Sequence, residues 1–86
     1  MRLEELVLLL ASRKALMPPG SASANLFRGG THAIGKKLME EAAEAWMAAE
    51  HESPERLAEE IAQLIYCTAC LMAQRGLSLA AIEDHL

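Results

Sequence analysis

The sequence predicts an all-α fold, and three observations carry that prediction. Hydrophobic residues make up 52% of the chain but aromatics only 3%. The apolar content is alanine, leucine and methionine, which favour helices over the strands that β-branched and aromatic residues prefer. Apolar positions recur at helical spacing over long windows, and proline, glycine and serine stand between the windows where helix ends need them. The expected architecture is a small helical bundle over residues 1–86. It has two long antiparallel helices, an N-terminal helix and a short C-terminal helix. Dimerisation is expected to complete it, because 86 residues bury only a modest core alone.

The first helix is expected over residues 2–15, where Leu3, Leu6, Val7 and Leu10 follow the i, i+3, i+4, i+7 pattern of one buried stripe. "MPPGSASAN", residues 17–25, stops it and reads as a loop, with "LFRGG" (26–30) as a short turn. A second helix is expected from Thr31, a good N-cap, to about Glu50. Ser53 then caps a third helix, with Pro54 at its first position and Glu55 at the positive end of its dipole. That helix runs to about Arg75, with Gly76 as its stop. Ser78 caps a short last helix over 79–85.

Composition excludes several classes. The net charge is −4, and no Lys/Arg cluster forms a nucleic-acid surface. No apolar run reaches the roughly 18–20 residues of a membrane span. "MRLEELVLLLASRK" has acidic residues at its start and no convincing cleavage site, so it reads as a helix rather than a signal peptide. Two cysteines and no export signal point to the cytoplasm.

The candidate site lies on the two long helices. At 100° per residue, Ile34, Leu38, Ala42, Ala45 and Ala49 form a stripe on the second. Glu41 falls inside it, with Lys37, Glu44 and Glu40 along one flank. On the third, Leu57, Ile61, Leu64, Ile65, Thr68 and Met72 form the stripe, with Glu60 and Gln63 on the flank. Packing the stripes together would gather Glu41, Glu44, Glu60 and Gln63 at one seam. Partly buried carboxylates repel one another and lose hydration. A hard divalent cation such as Mg²⁺ removes both problems, since it takes oxygen ligands and substrate phosphates. The plain alternative is a solvated acidic face paired with Lys36 and Lys37.

"EEAAE" followed by "EEIAQ" resembles the EExxE…ExxD signature of the all-α nucleoside triphosphate pyrophosphatases. "PGSASANLF", "GKKLMEEAAEAWMAAE", "LAEEIAQLIY" and "RGLSL" extend the resemblance to the phosphoribosyl-ATP pyrophosphatase family of histidine biosynthesis. The bare ExxE pairs are weakly specific; their order together with the Gly-Ser loop and the RGLSL ending is strongly so. The resemblance implies an α-helical homodimer that hydrolyses its nucleotide substrate, phosphoribosyl-ATP, to phosphoribosyl-AMP and pyrophosphate with Mg²⁺, Mn²⁺ being a possible substitute. Carried over by position, Glu41, Glu44 and Glu60 are metal ligands, and Glu40 is an outer or additional one. Lys37, with Lys36 beside it, holds phosphate. Gly20 and Ser21 match the family's loop between the first two helices, which implies a part in binding the nucleotide. Glu44 or Glu60 orients or deprotonates the attacking water.

Two departures stand out. Ala22 and Ser23 follow Gly20-Ser21 where the family has Tyr-Thr, and Gln63 stands where the signature has Asp. An amide oxygen still ligates Mg²⁺ or orients a water, without adding charge. Two other readings of the seam stay open: a house-cleaning dNTP pyrophosphatase of the same superfamily, and a non-enzymatic helical interaction module. Outside the seam, Cys67 and Cys70 read as core residues, because no βαβ setting or further zinc ligand accompanies them. His32, His51 and His85 read as surface or capping residues. Trp46 and Tyr66 read as packing residues, and Arg13, Arg28 and Arg75 as solvated.

Overall fold

Leu3 to Leu16 form the first helix, α1, in a computed structural model that describes residues 1–86. It ends one residue later than the pattern predicts. Met17 closes it in the left-handed region, φ 48°, with its N–H on the Arg13 carbonyl at 2.8 Å. That conformation costs a side-chain-bearing residue about 1 kcal/mol. The Met17 side chain packs on the hydrophobic core, which offsets the cost, and Pro18 prevents further helix.

The loop and turn expected over 17–30 need correction. Ala22–Arg28 is a helix, α2. Ser21 caps it by accepting from the Ala24 N–H at 3.3 Å. Ser23, Ala24 and Phe27 turn inward and are buried. Small polar residues obscured a helix whose stability comes from burying Phe27 rather than from propensity.

Gly30–His51 is α3. Its start also differs from expectation: Thr31 does not cap it, and Gly29 serves both as the end of α2 and the cap of α3. Gly30 takes φ 77°, open to glycine at little cost. A Cβ on Gly29 would stand 2.6 Å from the Ala33 Cβ. These two glycines let the chain leave one helix and enter the next without a linker.

Pro54–Arg75 is α4, capped by Ser53 and ended by Gly76 at φ 70°. With only Glu52 and Ser53 between them, α3 and α4 fold back as an antiparallel hairpin and share the largest interhelical interface. α1 also packs on α4, and α2 bridges α1 and α3. Leu79–Glu83 is the short α5, which stops before the expected residue 85. The all-α reading therefore holds, with five helices and no strand. No helix is long and apolar enough to cross a membrane.

Leu10, Phe27, Ile34, Ala69 and Cys70 form the core, drawn from α1 to α4. Burying a large apolar side chain such as Leu10 or Ile34 contributes about 1.5–3 kcal/mol. The stripe expected on α4 is displaced. Its buried residues are Glu60, Cys67, Ala69, Cys70 and Met72, while Ile61 and Ile65 are each 43% exposed and Thr68 is exposed. α4 contacts both α3 and α1, so its inward surface is a broad arc rather than one stripe. Cys67 and Cys70 are free and buried; burial pushes the Cys70 thiol up to about 11, which makes it a packing group rather than a nucleophile.

Candidate metal centre

Glu41 and Glu44 sit three residues apart on α3, a spacing that points two side chains at one place. Glu60 faces them from α4. Each of the three offers one carboxylate oxygen, and these oxygens all lie within 4.8 Å of one another. Glu41 is 7% exposed and Glu60 8%, whereas Glu44 is exposed and forms the open side.

Each buried glutamate is held by a cation four residues earlier on its own helix. Lys37 Nζ donates to Glu41 Oε1 at 3.2 Å. Arg56 Nη2 donates to Glu60 Oε1 at 2.7 Å. The second oxygens, Glu41 Oε2 and Glu60 Oε2, are buried without a hydrogen-bond partner. A buried carboxylate oxygen left without a donor costs free energy that a bound cation would relieve.

The electrostatics agree. Glu44 holds a proton more tightly than an ordinary carboxylic acid. The chief cause is the adjacent Glu60 carboxylate, which favours a protonated neighbour, followed by repulsion from the charge on Glu41 and on Glu60. Lys37 is held protonated above its usual value, first through its hydrogen bond to Glu41. Three carboxylates against two cations leave an excess of negative charge aimed at one point. All three donors are hard oxygens, the set that Mg²⁺, Mn²⁺ or Ca²⁺ accepts and a soft metal does not prefer. Two unpartnered buried oxygens and a hard donor set fit a divalent cation.

The other residues expected at the seam or on the loop lie outside the group of three carboxylates. Glu40 and Lys36 are exposed on α3, and Gln63 is exposed on the α4 turn after Glu60. Lys37 stands at the rim, paired with Glu41. Gly20 and Ser21 lie in the turn before α2. Ser21 Oγ is already engaged there, accepting from Arg13 Nη1 at 3.2 Å and sharing a 3.0 Å hydrogen bond with Ser23. Arg56 is a site residue that the sequence pattern did not single out. Its i, i+4 spacing to Glu60 was the available signal, hidden because "HESPER" reads first as a helix boundary.

The sequence matches the phosphoribosyl-ATP pyrophosphohydrolase family over residues 3–86, which takes in all five helices and the acidic group. The chain belongs to the phosphoribosyl-ATP pyrophosphohydrolase family.

Proposed function

We propose that this protein hydrolyses phosphoribosyl-ATP to phosphoribosyl-AMP and pyrophosphate, a step of histidine biosynthesis, with a divalent cation held by Glu41, Glu44 and Glu60. The carrying observation is the convergence of three glutamate oxygens from α3 and α4, two of the glutamates keeping an unpartnered buried oxygen, in a chain of this family. Mg²⁺, or Mn²⁺, supplies there the positive charge that offsets charge developing on the phosphates.

The remaining chemistry falls to the side chains. Water's oxygen bonds to phosphorus, the phosphoanhydride bond to the leaving pyrophosphate breaks, and one proton must depart. Glu44 is our choice to take it. It is the exposed member of the three, the one a water reaches from the open side. Glu60, tied to Arg56, is the other choice. Lys37 and Lys36 serve the phosphates as point charges. Glu40 acts from outside the three as an additional oxygen, and Gln63 orients a water through its amide. Gly20 and Ser21 belong to the substrate-facing loop.

The working protein is a homodimer in the cytoplasm on this reading. Support for the dimer comes from the 13 of 86 residues that are buried and from large apolar side chains left exposed, Leu8 at 70% and Trp46 at 69% among them. The test of function is pyrophosphate release from phosphoribosyl-ATP beside a dNTP panel. Turnover of phosphoribosyl-ATP well above every dNTP is expected. Preference for a dNTP, or no release from any nucleotide, would overturn the proposal.

A further inference from the structure

Arg56 spends every nitrogen of its guanidinium on a carboxylate. Nε donates to Glu52 Oε1 at 3.3 Å, Nη1 to Glu59 Oε2, and Nη2 to Glu60 Oε1 at 2.7 Å. Only the last of these acceptors belongs to the acidic group, and only the last is buried. Glu52 and Glu59 are exposed. Two exposed pairs of this kind add little to stability. Together they favour one direction of the guanidinium, the one in which its third donor meets Glu60.

The base of Arg56 is fixed as well. Its backbone N–H caps on Ser53 Oγ at 3.3 Å, in the first turn of α4. The chain from Ser53 through Arg56 to Glu60 therefore runs along the outside of one helix and ends at a carboxylate whose other oxygen has no protein donor. Lys37 holds Glu41 in the corresponding way on α3, but with one donor and one partner. A lysine ammonium is a point charge that rotates freely. An arginine fork, held at two other corners, sets an angle.

We infer that Arg56 is a positioning residue: it locks the Glu60 carboxylate so that one oxygen is tied off and the other is presented to the cation shared with Glu41 and Glu44. The inference rests on the proposed metal reading and deepens it. Charge and geometry pull in opposite directions here. As a charge, Arg56 repels a cation, so removing it would tighten metal binding. As a positioning residue, its loss loosens metal binding, in the range of about 10–100-fold typical of groups that orient ligands.

The sign decides. Mn²⁺ alone is titrated into the metal-free full-length protein by calorimetry, with bound Mn²⁺ read independently by electron paramagnetic resonance. Arg56→Lys keeps the charge and loses the fork; Arg56→Met loses both. Helicity and thermal unfolding of each variant are recorded alongside. We expect folded Arg56→Lys to bind Mn²⁺ at least about tenfold more weakly, and Arg56→Met to be weaker as well. Wild-type affinity in Arg56→Lys, or tighter binding in Arg56→Met, overturns the positioning role while leaving the metal centre standing. A wild-type protein that binds no Mn²⁺ overturns both.

Discussion

Glu41 Oε2 and Glu60 Oε2 are buried acceptors without a hydrogen-bond partner, and the proposed chemistry turns on such single atoms. Glu44 completes the group, and its substitution separates catalysis from structure. Glu44→Gln keeps the shape and removes the charge. Turnover of phosphoribosyl-ATP should fall by about 100-fold or more, the usual loss for an electrostatic or acid–base group; near-normal turnover would return Glu44 to the status of a surface glutamate. The same residue sets a pH dependence in the metal-free protein. Its folded proton affinity is raised, so between the unfolded and folded values the native state binds the extra proton. Stability from this group is therefore fully present below the ordinary carboxylate value and is lost as pH rises through the folded value. Melting of the metal-free protein across mildly acid to neutral pH should show this decline, flattened in Glu44→Gln. At this scale the acidic spacing made Glu41 and Glu44 legible. Arg56 was not, because its partner Glu60 had to be known as buried before the pairing mattered.

Helix ends decide how the elements carry the site. Ser53 Oγ accepts from the Arg56 N–H, so Ser53→Ala removes both a cap and the footing of Arg56. A stability loss of about 1 kcal/mol is expected, measured as a lower urea midpoint with unchanged slope. Gly30 stands at φ 77° with open space around its Cα. Gly30→Ala should cost about 1 kcal/mol through backbone strain alone, visible in the same titration; an unchanged midpoint would mean the α2–α3 junction relaxes freely. The α2 helix shows the limit of local signals. "SASANLFR" carries weak ones, and Phe27 becomes a helix residue because a core formed by α1, α3 and α4 is there to receive it.

The whole molecule leaves much apolar surface outside. Met39, Trp46 and Met47 are 71%, 69% and 60% exposed on α3, apolar surface that a second copy would cover in the proposed assembly. Sedimentation at micromolar concentration should give a dimer, and a monomer throughout would refute the proposed assembly. Activity should vanish on chelation and return with Mg²⁺ or Mn²⁺, since the site offers hard oxygens; undiminished turnover in excess EDTA would remove the metal from the mechanism.

Local chemistry in the sequence determined the helical class, the limits of the long helices to within a residue or two, and the acidic pattern on α3. Each of these depends on neighbours within one or two turns: propensity, caps, and the i, i+3 spacing of Glu41 and Glu44. Tertiary structure decided the rest. It turned α4 so that Glu60 and Cys67 face inward while Ile61 and Ile65 are half-exposed, against the simplest hydrophobic stripe, because α4 packs on two helices at once. It made α2 a helix around Phe27. Helical spacing already pointed Glu60 toward Glu41 and Glu44, but only packing buried Glu60 and left Gln63 exposed, since the rotation of each helix about its axis is set by packing and not by local sequence.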